Sequence, residues 1–210
     1  MTSHTTPRAQ VQRRKFDIRL WVLVTSTVPL VVWGFSECYL RFSSQAFSLE
    51  SGALADRMVH LCNYSVQKDA EGGEGGEGGA ASASTNASAS ADANAKFPPI
   101  SENMWPSAVF SEYVDSTYGE GTWCGIQAQM RAIVLETLSA SKHTLHKVAL
   151  GFEWLGFDLM VTEPSGSSGG TPGVYLIEVN VSPDVSHSTA VTAALAPAAN
   201  ADLLTLLLGE

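Results

Sequence analysis

Apolar and polar positions alternate with period two over several short stretches of this chain and recur at helical spacing over one long stretch. Lys15-Phe16-Asp17-Ile18-Arg19 alternates charged and apolar residues, which predicts a strand with Lys15, Asp17 and Arg19 on one face. The apolar run from Leu20 to Phe35 is broken by Thr25, Ser26, Thr27 and Pro29. It predicts a strand-turn-strand with arms at Trp21–Thr25 and Leu30–Phe35, and at about 1.5 Å per residue a helix there would be too short to span a bilayer. Glu37–Phe42 predicts a further strand carrying Arg41, and Val59–Lys68 a short strand running into a polar turn. Phe47–Arg57 is mixed and defines no element, while Ser101–Val114 predicts an irregular segment with a helical turn. Trp123, Ile126, Met130, Ile133, Val134 and Leu138 mark a helix over Thr122–Lys147, closed by Gly151. Gly156–Val161 and Val174–Val181 predict a β-hairpin joined by a Gly-, Ser- and Pro-rich connection, and Ser188–Leu208 a helix interrupted or started near Pro197.

A composition break divides this pattern. Glu71–Gly79 repeats Glu-Gly-Gly, and Ala80–Ala95 is almost entirely Ala, Ser, Thr, Asn and Asp. Such a tract cannot bury enough apolar surface to offset its ordering entropy. The expected organisation is a frayed start over 1–12, one domain built from 13–68 and 97–210, and a low-complexity loop over 69–96 inserted within it. The net charge of -9 argues against broad nucleic-acid binding. Cys38, Cys62 and Cys124 are odd in number and widely spaced, which fits neither a disulfide framework nor a zinc site and points to a reducing cytosol. The polar Met1–Gln10 carries no signal peptide.

Candidate chemistry lies at the predicted hairpin. Glu178 and Asn180 stand two positions apart on one strand and therefore share a face, and folding the hairpin brings Asp158 beside them. Two carboxylates and a carboxamide suit Mg²⁺ held jointly with substrate phosphates, and the basic groups of the first strands can hold phosphate oxygens. There is no Gly-rich loop ending in Gly-Lys-Ser/Thr and no defensible Ser-His-Asp arrangement; His187 reads as a polar loop residue rather than a base.

Lys15-Phe16-Asp17-Ile18-Arg19-Leu20-Trp21-Val22-Leu23-Val24-Thr25 is followed by Tyr39-Leu40-Arg41-Phe42, His60-Leu61-Cys62-Asn63-Tyr64-Ser65-Val66-Gln67-Lys68, Gly156-Phe157-Asp158 and Ile177-Glu178-Val179-Asn180-Val181-Ser182-Pro183. In this order the segments resemble the motifs of the tubulin tyrosine ligase-like family, over roughly Arg13 to Leu208 apart from the insert. The resemblance implies an α+β, ATP-grasp-like antiparallel sheet flanked by helices. It implies an ATP- and Mg²⁺-dependent carboxylate-amine ligase that joins an amino acid to tubulin through an acyl phosphate. It places Lys15 at the ATP phosphates, Asp17 at the ribose, and Cys62 and Asn63 against the nucleotide. Asp158, Glu178 and Asn180 would hold Mg²⁺, Arg41 and Tyr64 would face the amino-acid or acyl-phosphate end, and Arg19 would lie in the cleft with Arg41 as the second catalytic cation.

The implied partners are the acidic tails of tubulin or microtubules and a free amino acid, with no nucleic acid and no membrane. The implied location is cytoplasmic and cytoskeletal, cilium or basal body included. Glutamate, glycine and tyrosine stay open as donors; Val181 stands where many glutamate-adding members have histidine. Family members carry an adenine-holding segment and a smaller domain before the first motif, where this chain has only Met1–Gln12, so it reads as the C-terminal part of the catalytic module. The alternative is a non-catalytic fragment that binds tubulin; a ligase of small metabolites would lack these motifs.

Overall fold

Two long antiparallel strands run through the centre of the molecule. β2 (Arg14–Thr27) turns at Val28-Pro29 into β3 (Leu30–Ala46), and each is continuous where the sequence predicts two separate strands. Register shifts after Arg14, Leu20 and Val24 absorb the interruptions in the apolar pattern without ending the ladder. The computed structural model describes residues 9–63, 66–67, 96–145, 151–164 and 170–209. The low-complexity tract, apart from Lys96, therefore lies outside the described residues.

The remaining elements, in chain order, are β1 (Gln10–Val11), α1 (Arg57–His60), β4 (Met104–Pro106), α2 (Ser107–Tyr118), α3 (Thr122–Ser141), β5 (Glu153–Val161), β6 (Val174–Asn180) and α4 (Ala190–Leu208). All strand pairings are antiparallel, in the order β4-β3-β2-β5-β6, with β1 paired to the start of β2. The sheet thus draws strands from both sides of the low-complexity tract. Its architecture is the mixed α+β arrangement expected, an antiparallel sheet flanked by helices.

Alternation along β2 sends its two sides to different clusters. Phe16, Ile18, Val22 and Val24 join Leu40 and Phe42 of β3 and Leu155, Phe157 and Leu159 of β5 in the larger core. Phe110 and Val114 of α2 and the stripe Ile126, Met130, Val134 and Leu138 of α3 complete it. The period of four in that stripe is what the sequence shows as helical spacing. A smaller cluster joins Trp21, Tyr39 and Met104 to Ala196 and Ala199 of α4.

Several expectations are corrected. The strand expected from Val59 does not begin there, because Arg57–His60 is a short helix: Asp56 Oδ1 accepts the Met58 amide at 2.8 Å, a cap that local alternation does not reveal. Ser101–Val114 resolves into β4 followed by a twelve-residue helix. α3 ends at Ser141 and passes into a 3₁₀ turn over Lys142–Thr144, so Gly151 is not its cap; the buried stripe of the helix stops at Leu138. Ala9–Val11 is not frayed, because Gln10 and Val11 pair with Lys15 and Arg14 and Val11 is buried.

α4 runs through Pro197 from a capping box at Thr189, since the amide missing at one exposed position removes a single ladder bond. Among the described residues α4 is also the one helix long and apolar enough to cross a bilayer, with a mean hydropathy of 1.5.

Candidate functional site

Strand register assembles the site. Tyr39 pairs with Arg19, Arg19 with Asp158, and Asp158 with Glu178, so four residues from β3, β2, β5 and β6 lie in one line across the sheet. One row along, Arg41 pairs with Asp17; in the other direction Gly156 pairs with Asn180. Three residues far apart in the chain, Arg19, Arg41 and Asp158, thereby converge with Asp17 and Asn180.

The charges are buried and mutually paired. Arg19 Nε donates to Asp158 Oδ1 at 2.5 Å and Arg19 Nη2 to Oδ2 at 3.0 Å. Arg41 Nε donates to Asp17 Oδ1 at 2.7 Å, and Arg41 Nη2 makes an ion-pair contact with Asp158 Oδ2 at 2.8 Å. Asn180 Nδ2 lies 3.2 Å from both Asp158 Oδ2 and Glu178 Oε1. Burial by itself would push the Asp158 carboxyl up, but the Arg19 hydrogen bond and the charges of Arg41 and Arg19 prevail and hold it below the usual carboxylate range. Asp17 moves the other way: burial pushes its carboxyl up against the pull of Arg41, and the neighbouring charge of Asp158 adds to the rise. For Arg41 burial opposes the charge, yet Asp17 and Asp158 outweigh it and keep the guanidinium protonated.

A cavity of about 230 Å³ opens beside this network. Arg19, Arg41, Asn63 and Asn180 line it together with Tyr39, Met104, Pro183, Asp184 and Thr192. Lys15 sits at the flank, where its ammonium donates to the His60 carbonyl. Cys62 is buried with Sγ 3.6 Å from the Lys15 carbonyl, and burial pushes its thiol up to about 12, which leaves it a packing group rather than a nucleophile. Gln67 holds this segment by donating to the Leu61 carbonyl at 2.6 Å and accepting the Ser44 amide at 3.1 Å. Tyr64 lies outside the described residues.

Met104 and Asp184 carried no signal in the sequence, since neither belongs to a charged alternation or a motif segment; Tyr39 and Pro183 stood in motif segments without an assigned role. Gly156 carried a signal, as the first residue of Gly-Phe-Asp. A Cβ there would stand 2.9 Å from Pro183 Cβ and 3.3 Å from Arg19 Cδ. The missing side chain lets the turn after β6 lie against the Arg19 stem and aim its guanidinium at Asp158. Gly156→Ala is expected to destabilise the protein by about 1–3 kcal/mol through overpacking, read from urea melts; a change under about 0.5 kcal/mol would mean that Pro183 moves aside freely.

Among the described residues no three His, Cys, Asp or Glu side chains form a metal-sized group, so a divalent cation here needs Asn180 as its third ligand. That ligand fits. The Asn180 amide lies within hydrogen-bond distance of both Asp158 and Glu178, and a carboxamide can present its oxygen as readily as its nitrogen. All three ligands are hard and suit Mg²⁺.

Fold and site together define an α+β protein with an arginine–carboxylate network on one face of an antiparallel sheet. The sequence model of the tubulin-tyrosine ligase family matches residues 10–209, and the chain belongs to that family. It is 34% identical over 195 residues to human tubulin monoglycylase TTLL3, an alignment covering 92% of this chain and 22% of that protein. It is 33% identical over 195 residues to tubulin glycylase 3A of Drosophila melanogaster, covering 92% and 17%. Against mouse protein monoglycylase TTLL8 it is 33% identical over 182 residues, covering 86% and 18%. The chain spans about a fifth of the length of these curated relatives.

Proposed function

We propose that this chain forms the metal- and phosphate-facing part of an ATP-dependent ligase that adds an amino acid, glycine by its relatives' names, to a carboxylate of tubulin. The observation that carries this reading is the line Arg19–Asp158–Glu178 with Asn180 and Arg41 beside it. Such a ligase needs oxygen ligands and cations within reach of one transferring phosphoryl group. Val181 in place of histidine fits a donor other than glutamate.

In the proposed reaction a substrate carboxylate oxygen attacks the γ-phosphorus of ATP, the bond to ADP breaks, and an acyl phosphate forms. The amine of glycine then attacks the acyl carbon, inorganic phosphate leaves, and the amine gives up a proton. Mg²⁺ bound by Asp158, Glu178 and Asn180 would supply charge neutralisation for the phosphoryl group. Arg19 and Arg41 would orient phosphate oxygens and steady the oxyanion that develops on the acyl carbon. Lys15 would reach the phosphates, with Asp17, Cys62 and Asn63 on the nucleotide side and Tyr64 with Arg41 at the amino-acid side. A tubulin substrate would place the protein on cytoplasmic microtubules, cilium and basal body included.

The test incubates the purified protein with tubulin, ATP, Mg²⁺ and labelled glycine, glutamate or tyrosine in parallel, and locates label by mass spectrometry. Glycine in amide linkage on tubulin, lost in Glu178→Gln, is the expected result; label from glutamate or tyrosine alone would overturn the donor. A second reading rests on the length of the match, about a fifth of each relative: the chain binds tubulin without turnover. Co-sedimentation with microtubules and no incorporation of any label would favour it.

A further inference from the structure

Asp158 is not an open ligand. Two N–H groups of Arg19, at 2.5 and 3.0 Å, the Arg41 guanidinium at 2.8 Å and the Asn180 amide at 3.2 Å surround its two oxygens. A carboxylate offers about four acceptor positions; hydrogen bonds from Arg19 and Asn180 take three, and the Arg41 guanidinium closes the remaining side by charge contact, so a cation reaching Asp158 has to displace at least one of these neighbours. It would also arrive beside two buried guanidinium charges in a quartet that is already neutral, Asp17 and Asp158 against Arg19 and Arg41. Glu178 adds one carboxylate, on the exposed edge strand. Arg19 and Arg41 also line the cavity of about 230 Å³, so an oxyanion entering it arrives beside the two residues that hold Asp158.

We infer that Arg19 and Arg41 latch Asp158 shut against divalent cations, and that an oxyanion in the adjoining cavity opens the latch by taking over the guanidinium donors. Cation and oxyanion then bind as a coupled pair. Each raises the affinity of the other by the same factor, because linkage is reciprocal. The inference rests on the reading of Asp158 as a metal ligand and goes beyond it, in that the resting site excludes the ion by pairing. Gly156 contributes by holding the Arg19 stem under Pro183, which keeps the guanidinium on Asp158.

The experiment measures Mn²⁺ binding to the 210-residue protein by electron paramagnetic resonance of the free ion, in chloride and in sulfate at equal ionic strength. It includes Arg19→Gln and Asp158→Asn, each checked for its circular dichroism spectrum and melting temperature. Wild type is expected to bind Mn²⁺ weakly in chloride and at least about tenfold more tightly in sulfate, within the usual range of coupling between sites. Arg19→Gln should bind tightly in chloride already and respond less to sulfate, and Asp158→Asn should bind in neither. Equal affinity of wild type in both salts overturns the latch, and if Asp158→Asn still loses the ion, the metal reading stands without it. No Mn²⁺ bound by wild type in either salt or by Arg19→Gln overturns the metal reading and the latch together. Should Arg19→Gln fail to fold, the chloride–sulfate comparison on wild type decides.

Discussion

Asp158→Ala is expected to destabilise the protein by about 3–5 kcal/mol, the usual effect of removing one partner from a buried ion pair. The carboxylate is 1% exposed and is the shared acceptor of Arg19 and Arg41, so its loss leaves Arg19 without a counter-charge and Arg41 with Asp17 alone. Urea melts measure the loss, with Glu178→Ala as the contrast. Glu178 is exposed and, among the described residues, its carboxylate accepts a hydrogen bond from Asn180 at 3.2 Å, and its replacement is expected to stay within about 0.5 kcal/mol. Equal effects from the two would mean that the network does not stabilise the fold.

The same carboxylate sets an acid limb. Its folded pKa lies below the ordinary value, so its contribution is fully present above the unfolded pKa, about 3.9, and is lost as pH falls through the folded value. Asp17 has the opposite sign: its raised pKa favours the protonated form, and its contribution declines as pH rises through the carboxylate range. Asp158→Asn should flatten the loss of stability below about pH 4. Because the alanine variant weakens the whole fold, metal-binding comparisons belong to the asparagine variant, which keeps the volume and one acceptor.

Trp21→Ala is the second large effect, expected at about 3–5 kcal/mol for a buried aromatic truncated to a methyl group. Trp21 is 1% exposed and its ring lies 5.5 Å from Tyr39, 6.0 Å from Phe35 and 6.2 Å from Trp154. Among the described residues its indole N–H has no hydrogen-bond partner, so the loss is one of packing and not of polar contacts. The cluster it organises is small and holds α4 through Ala196 and Ala199. Amide exchange should therefore accelerate in α4 more than in α3, whose Ile126, Met130, Val134 and Leu138 belong to the other core. Uniform acceleration of both helices would show that the two clusters unfold as one unit.

Much of the fold was legible along the chain. The alternations at Lys15–Arg19, Glu37–Phe42, Gly156–Val161 and Val174–Asn180 all lie in strands, and the helical stripe from Ile126 to Leu138 lies in a helix, because side-chain periodicity is a local property. What was missed was also physical. A cap from Asp56 made a helix of Arg57–His60, where a strand was expected to begin at Val59, and bulges joined four expected strands into two. The meeting of Asp158 with Glu178 and Asn180 was readable too, since one hairpin and the two-residue spacing of a strand bring them together.

The sequence by itself determined most of the strands and the helical stripe of α3, the hairpin carrying Asp158, Glu178 and Asn180, and the family to which the chain belongs. Only the tertiary structure decided how those acids are paired. Arg19 and Asp158 stand 139 positions apart, and no local pattern specifies that β2 lies between β3 and β5 in the register that opposes them. That register depends on burying Phe16, Ile18 and Val22 against Phe157 and Leu159 on one face, because a slip of one residue would turn the apolar set outward. The charges on the other face are then fixed where the packing leaves them, and burial makes their pairing obligatory.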